Sequence, residues 1–331
     1  MNTTSFSTLQ VTSTAASKRR NPHQDQPQAE VIRPAQAADK RALVLGGGGS
    51  TGNAWLIGVL AGLFDAGLDV STAELTIGTS AGSTAAAQLA GASPTELFSA
   101  TLATVPQQRA GSGGAERGRG PARPVVNHLE RIGKIIDAAA DMPDLRRRLG
   151  AAALEMDAAS DGSWQEQWRK TVASRLPSQD WPQRRVLITA VDAGNGEPVV
   201  FDQHSGVDLA DAVAASCASG LPYQIGDARY IDGGYRRSSE NADLAAGYGR
   251  VLVLSPFGGK TLQPLDWGVQ LAKQVEELRA GGSRVETVFP DSNSEHLFGS
   301  NAMDLSLRPP AARAGYEQGK ALAEQLTEFW R

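Results

Sequence analysis

The chain has very little of what disulfides and metal sites require. Its 331 residues include one cysteine, Cys217, and four histidines. A single cysteine cannot form an internal disulfide, and these few scattered side chains do not match the spacing of a zinc site. We therefore expect no metal site of this kind, and the chain has no need of an oxidising compartment.

Long apolar runs and an excess of positive charge are also missing. No run of about 18 apolar residues occurs, so we expect no transmembrane helix. The first 24 residues contain Lys18, Arg19 and Arg20 without an adjoining apolar core, which argues against a secretory signal peptide. A net charge of -4 does not suit a nucleic-acid-binding protein. We expect a cytoplasmic protein with possible peripheral membrane contact, and the oligomeric state stays open.

The sequence predicts a tail followed by one large domain. Residues 1–39 are polar and rich in Gln, Pro, Ser and Thr, which predicts a disordered tail. Residues 40–331 predict a single α/β domain, because short apolar runs alternate with helical periodicity. Residues 94–181 are charged and helical in pattern, which predicts a helical insertion and a candidate lid. The predicted strands are 41–45, 75–77, 185–191, 199–201, 230–231 and 250–254, and the other predicted helices are 53–66, 83–90, 209–217, 268–280 and 311–330.

A Gly-x-Ser-x-Gly pattern at Gly78–Gly82 makes Ser80 a candidate nucleophile. A serine hydroxyl needs an exposed, rigid position and a base to attack a carbonyl. A sharp turn between a strand and a helix gives that position, and its flanks must be small because the two elements approach closely. The predicted strand and helix lie on the correct sides of Ser80. An ordinary tight turn is the alternative interpretation.

A glycine-rich loop with the spacing G-x-G-x-x-G follows the first predicted strand. It contains Gly47, Gly48, Gly49 and Gly52. The spacing allows a dinucleotide-binding turn, but it is not a Walker loop. Backbone N–H groups at a helix N-terminus can also hold a developing oxyanion. The serine turn one strand later favours the oxyanion hole.

An Asp-Gly-Gly segment, Asp232 with Gly233 and Gly234, follows a short predicted strand. A carboxylate at a strand end can act as general base for Ser80. An aspartate that caps its own turn is a common alternative, and taken alone it is the better interpretation.

Taken in order along the chain, these three segments resemble the patatin-like phospholipase family. The stretches on either side of the aspartate resemble the family less specifically. They are residues 215–218 with Pro222 before it, and Ser239, Asn241 and Asp243 after it. The resemblance extends well over residues 41–260. It implies a three-layer α/β/α fold with a mostly parallel central sheet.

The resemblance also implies an activity. It implies a carboxylic ester hydrolase acting on lipids through a Ser80–Asp232 dyad and an acyl-enzyme. Gly47, Gly48 and Gly49 would form the oxyanion hole, and neither metal nor cofactor would be needed. One position departs from the family pattern, because Thr51 stands where many members carry arginine. This weakens the case for phospholipid as substrate more than the case for ester hydrolysis.

Three other functions remain open from the residues. A Ser-His-Asp triad of the α/β-hydrolase type would use His204 or His296, which follow Ser80 in the chain. A nucleotide-binding module would need an acid at the end of the second strand, and Asp69 lies before that strand instead. A catalytically silent scaffold would bind without turnover.

Overall fold

The computed structural model describes residues 39–103 and 125–331 of the chain. The predicted tail lies outside the described residues apart from its last residue. Residues 104–124 of the predicted insertion also lie outside them.

Eight strands form one mixed sheet in the described part of the chain. The five strands β3-β2-β1-β7-β8 are parallel neighbours in that order, and β4, β5 and β6 pair antiparallel at the β3 end. The strands are β1 (Arg41–Leu45), β2 (Leu75–Gly78), β3 (Arg185–Asp192), β4 (Pro198–Phe201), β5 (Tyr223–Ile225), β6 (Ala228–Asp232), β7 (Arg250–Leu254) and β8 (Arg284–Val288).

Helices cover both faces of this sheet. Side chains of β1 alternate between two apolar clusters: Leu43 and Leu45 pack with α1 and α9, and Ala42 and Val44 pack with α8. This arrangement confirms the predicted three-layer α/β/α fold. The helices are α1 (Gly49–Asp65), α2 (Ala81–Gln88), α3 (Pro94–Ala103), α4 (Val125–Asp137), α5 (Met142–Ala158), α6 (Trp164–Ala173), α7 (Leu209–Ser216), α8 (Leu271–Ala280) and α9 (Arg308–Trp330).

Helices α3 to α6 occupy the region of the predicted insertion. Side chains of α4 and α5 form a third apolar cluster with Val191 of β3 and Ile231 of β6. Thus α4 and α5 pack at the end of the sheet where the antiparallel strands lie. No helix in the described ranges is long and apolar enough to span a bilayer.

Two strands and one helix start differ most from the sequence prediction. Strands β5 and β8 were not predicted: β5 has three residues, and β8 mixes charged with apolar residues at the sheet edge. Helix α1 begins at Gly49, four residues before the predicted start. Its first turn is held by a tertiary contact, because the Thr51 N–H donates to the Ala302 carbonyl at 3.0 Å. Packing therefore overrides the poor helix propensity of glycine here.

Helices α1 and α9 pack at glycine-lined contacts. A Cβ at Gly58 or Gly62 would collide with the α9 backbone, and a Cβ at Gly315 or Gly319 would collide with the α1 backbone. The contact also contains a hydrogen bond from Trp55 Nε1 to Gln318 Oε1, at 3.1 Å. Close backbone approach therefore fixes glycine at these four positions.

We expect Gly319→Ala to lower the free energy of unfolding by about 1–3 kcal/mol, because the added methyl meets the Val59 carbonyl. Gly133→Ala is the matched control, since a Cβ in the middle of α4 meets nothing within 4 Å. That variant should gain about 0.5–1 kcal/mol from helix propensity. Urea unfolding of both variants measures the difference, and equal stabilities would refute the close contact between the helices.

Candidate active site

Ser80 lies at the apex of a sharp turn between β2 and α2. Its backbone has φ 51° and ψ -112°, a conformation that a residue other than glycine rarely adopts. The turn is held on both sides, since the Thr79 N–H donates to the Leu45 carbonyl at 3.1 Å and the Gly82 N–H donates to the Thr79 carbonyl at 2.8 Å. The side chain of Ser80 is consequently presented at the carboxyl edge of the sheet.

The flanking glycines are required by close packing. A Cβ at Gly82 would overlap the Leu45 carbonyl at the end of β1. A Cβ at Gly78 would lie 2.6 Å from Ser83 Cα, at the start of α2. The strand and the helix therefore approach as closely as the Gly-x-Ser-x-Gly pattern predicts.

Strands β2 and β6 bring Ser80 and Asp232 together from 152 positions apart. Strand β4 occupies one edge of β3, opposite residues 188–191. On the other edge, β2 pairs with residues 185–188 and β6 pairs antiparallel with residues 190–192. The two strands lie end to end and run toward each other. Their carboxyl ends, which carry Ser80 and Asp232, meet as a result.

Ser80 Oγ donates a hydrogen bond of 2.8 Å to Asp232 Oδ2. The other carboxylate oxygen, Oδ1, accepts the Gly234 N–H at 2.8 Å, which fixes the carboxylate plane. A Cβ at Gly233 would overlap the Thr189 carbonyl, so the turn after Asp232 is also tightly packed. Asp232 thus caps its own turn with one carboxylate oxygen and accepts the Ser80 hydroxyl with the other, so the capping contact leaves it free to face Ser80.

Asp232 is only 7% exposed. Burial raises the pKa of its carboxyl to about 6, against the opposing effect of the hydrogen bonds from Gly234 and Ser80. A carboxylate with this pKa accepts a proton more readily than an exposed aspartate and is still ionised at neutral pH.

The glycine loop borders Ser80. A methyl group at Gly47 would lie 3.7 Å from Ser80 Cβ. Gly48 precedes the first residue of α1, and no side chain caps this helix. Neither Gly48 nor Gly49 has a hydrogen-bond partner for its N–H among the described residues. Two backbone donors at a helix N-terminus are therefore available in the loop that borders Ser80.

Gly47 differs from the oxyanion donor that the sequence predicts. Its N–H donates to the Ser239 carbonyl at 2.7 Å, so this donor is already engaged. Gly49 has φ 64°, which favours glycine, and a Cβ at Gly48 would lie 2.5 Å from Pro256 Cβ. Gly52 closes the first turn of α1 by donating its N–H to the Gly48 carbonyl at 2.9 Å.

Thr51, the position at which the sequence departs from the pattern of the family it resembles, is fully buried. A cation from the far end of the chain lies beside the same turn. Arg308 donates from Nη1 to the Ser50 carbonyl at 2.8 Å and from Nη2 to Asn53 Oδ1 at 3.1 Å. Burial lowers the pKa of this guanidinium to about 10, and the charge of Arg175 acts in the same direction. No local pattern in the sequence indicates this contact.

Two further side chains support the Ser80 turn. Ser216, at the end of α7, accepts the Ser80 N–H at 2.9 Å. The buried Asn241 side chain contacts both the residue before Ser80 and the residue after Asp232. In the sequence, Asn241 and the segment 215–218 that contains Ser216 only resemble the family pattern around the aspartate. The sequence alone assigns no role to either residue.

The residues of the alternative functions lie elsewhere. His204 and His296 are exposed, and neither hydrogen-bonds Ser80. Asp69 accepts the Ser71 N–H at 2.9 Å and caps a short helix before β2. A dinucleotide-binding fold needs an acidic residue after β2 to bind the ribose, and β2 is followed by Thr79 and Ser80 instead. Within the described residues, no group of three or more His, Cys, Asp or Glu side chains could hold a metal ion.

Comparison with known proteins identifies one matching family. A family model described as patatin-like phospholipase matches residues 43–246. No curated protein matches the chain significantly. The solved structure of VipD from Legionella pneumophila is 12% identical, with 87% of this chain and 67% of that chain covered and a TM-score of 0.41. The type III effector protein ExoU is 16% identical, with 85% and 54% covered and a TM-score of 0.31.

Proposed function

The chain belongs to the patatin-like phospholipase family, whose activity is lipid acyl hydrolysis, and from this premise we propose that it cleaves carboxylic esters of lipids with Ser80 and Asp232. The observation that carries the proposal is the 2.8 Å hydrogen bond from Ser80 Oγ to Asp232 Oδ2, at a glycine loop in which two backbone N–H groups have no partner among the described residues. A nucleophile, its base and oxyanion donors are the three parts that acyl transfer needs.

In the proposed mechanism, Asp232 accepts the proton of Ser80 while Oγ attacks the ester carbonyl. The carbonyl oxygen becomes an oxyanion, and the alcohol leaves with the proton returned by Asp232. Asp232 then takes a proton from water as the water oxygen attacks the acyl carbonyl, and Ser80 Oγ leaves with the proton returned by Asp232 as the fatty acid is released. The same carboxyl thus serves as base and acid in turn, and a pKa of about 6 suits both roles near neutral pH.

The N–H groups of Gly48 and Gly49 would hold the oxyanion in this mechanism. Both belong to the start of a 17-residue helix, so the helix dipole adds to their effect. Each such donor typically stabilises a transition state by about 2.7–4 kcal/mol. Gly47 would instead shape the loop, because its N–H is bound to the Ser239 carbonyl.

Residues 94–181 remain the proposed lid and acyl-chain groove. A narrow cavity of about 10 Å³ lies between α4, α5 and β6, and its lining includes Ile132, Leu149 and Ile231. Ile231 directly precedes Asp232 in the chain. An acyl chain would therefore enter here only if α4 and α5 moved away from β6, and it would then begin close to the reacting carbonyl.

The proposal is tested by active-site labelling and a lipid panel. A fluorophosphonate probe should label Ser80 in the wild type, and the wild type should release fatty acid from phosphatidylcholines, lysophosphatidylcholines or acylglycerols of short and long chain. Ser80→Ala should lose both activities. The control is Ser174→Ala, because Ser174 is an exposed serine at the end of α6.

Two results would contradict the proposal. One is fatty acid release by Ser80→Ala equal to that of the wild type. The other is a wild type that neither reacts with the probe nor hydrolyses any ester in the panel, which would favour a silent scaffold. Hydrolysis rates that differ between short and long acyl chains would support the proposed groove, and equal rates would argue against it.

A further inference from the structure

Exposed apolar side chains are concentrated in two loops. Of the six large apolar residues that are exposed among the described residues, only Phe64 lies elsewhere. Single exposed apolar residues are ordinary, but a concentration at one place marks an interaction surface. We call the other five the apolar rim: Leu262 and Leu265 between β7 and α8, and Phe289, Met303 and Leu305 between β8 and α9.

The apolar rim lies on the same edge of the sheet as Ser80. Strands β7 and β8 are parallel to β1, so the loops after them leave the sheet on the side of the glycine loop. A Cβ built at Gly49 would lie 3.0 Å from Met303 Sδ, so the rim adjoins the glycine loop directly. The two loops also adjoin each other, since the Phe289 ring lies 3.5 Å from a Cβ built at Gly259.

The exposure of the rim is large. Leu262, Leu265, Met303 and Leu305 are each at least 60% exposed. These side chains leave much of their apolar surface in water, where burying it would be favourable. The loops are fixed to the body of the protein, because Ser255 Oγ donates to Glu240 Oε1 at 2.7 Å and the Ala302 carbonyl accepts the Thr51 N–H at 3.0 Å.

The charges of the two loops disfavour an anionic lipid surface. Lys260 is 3.8 Å from Glu295 and is thereby neutralised in part. Four carboxylates accompany this one lysine in the loops: Asp266, Asp291, Glu295 and Asp304. An acidic rim is repelled by anionic lipid and not by a surface without net charge.

We propose that the apolar rim docks on the surface of a zwitterionic phospholipid aggregate and brings the Ser80 edge of the sheet to the ester bonds of that surface. This inference rests on the proposed function for its purpose. It goes beyond that function by naming the surface that meets the lipid and the charge that the lipid carries. Leucine and methionine side chains at such a surface enter the boundary between headgroups and acyl chains.

The test measures binding apart from turnover. In the Ser80→Ala background, the triple variant Leu262→Ser, Leu265→Ser, Leu305→Ser should bind phosphatidylcholine vesicles about 100-fold more weakly than the parent. Phe64→Ser is the matched control, because Phe64 is exposed at the far end of α1 and should leave binding unchanged. With Ser80 restored, the triple variant should lose vesicle hydrolysis relative to hydrolysis of monomeric p-nitrophenyl acetate by at least about tenfold.

Several outcomes would overturn the inference. They are unchanged vesicle binding by the triple variant, an equal loss in Phe64→Ser, and binding by the parent only to anionic phosphatidylserine vesicles. Binding of a protein partner by the rim, with no binding to any vesicle, would overturn it too. Failure of the proposed function would give a different result. The triple variant would still bind vesicles more weakly than its parent, but the wild type would hydrolyse no ester.

Discussion

Replacement of Asp232 by Asn is expected to abolish ester hydrolysis and to make the protein more stable at neutral pH. The amide has the size of the carboxylate but cannot accept the Ser80 proton, so turnover should fall by about 10²–10⁴-fold. The fold should survive, because the amide oxygen can still accept the Gly234 N–H that Asp232 Oδ1 accepts. The amide nitrogen can in turn donate to Ser80 Oγ.

The gain in stability follows from the burial of the carboxyl. Its pKa is raised from 3.8 to about 6, so the folded state favours the protonated form. Above about pH 6 the group is ionised in both states, and the buried charge then costs about 3 kcal/mol. Below pH 3.8 it is protonated in both states, and the cost disappears. Asp232→Asn removes this cost, so its advantage should grow as pH rises from about 4 to about 6.

Urea unfolding at pH 4 and pH 7, together with a pH–rate profile, measures these effects. The wild-type kcat/KM should rise with pH through a midpoint of about 6, because the base must be unprotonated. The control is Asp227→Asn, which changes an exposed aspartate in the turn before β6 and should alter neither property. A variant that keeps full turnover would rule out Asp232 as base, and one less stable at pH 7 would show that the carboxylate is a net stabiliser.

The sequence predicted the local parts of the site and the fold. The turn around Ser80 and the glycine loop are both strand-to-helix connections, in which Gly78 packs against the nearby Ser83 and Gly49 takes a positive φ, requirements that a short segment expresses by itself. The alternation in β1 likewise follows from its apolar residues. These features were predictable because residues close together in the chain determine them.

What the sequence could not give depends on contacts between distant segments. Asp232 meets Ser80 because β6 runs back toward the end of β2 along one edge of β3, and an antiparallel strand of five residues has no pattern that fixes its partner. The Gly47 N–H is engaged because Ser239 lies against it, and Arg308 reaches the start of α1 from the other end of the domain. Donors that look equivalent in the sequence are therefore different in the structure.

Asn241 is expected to be a positioning residue whose loss slows turnover without changing substrate binding. It is fully buried, and its Nδ2 lies 3.0 Å from Thr79 Oγ1 and 2.9 Å from the Gly233 carbonyl. Thr79 directly precedes Ser80, and Gly233 directly follows Asp232. One amide group thus ties the two turns that hold the proposed nucleophile and base.

Asn241→Asp is the informative variant because it keeps the shape and the backbone. Asn241 has φ 53°, a left-handed conformation that Asp tolerates and alanine does not favour. A carboxylate cannot donate to Thr79 or Gly233, so both turns should loosen and kcat should fall by about 10–100-fold at nearly constant KM. The new negative charge close to Asp232 should also move the midpoint of the pH–rate profile above that of the wild type.

The pH profile separates positioning from a general loss of stability. Leaving buried acceptors unsatisfied should cost about 1–3 kcal/mol, which is similar to the loss expected for Gly319→Ala. Gly319 lies in α9 where it packs against α1, away from the turns at Ser80 and Asp232. Gly319→Ala should therefore keep the wild-type kcat and the wild-type midpoint of the pH–rate profile. If the two variants show the same kcat and the same midpoint, Asn241 contributes only to stability. A lower kcat and a raised midpoint confined to Asn241→Asp would identify the tie between the turns as the means by which the fold aligns Ser80 with Asp232.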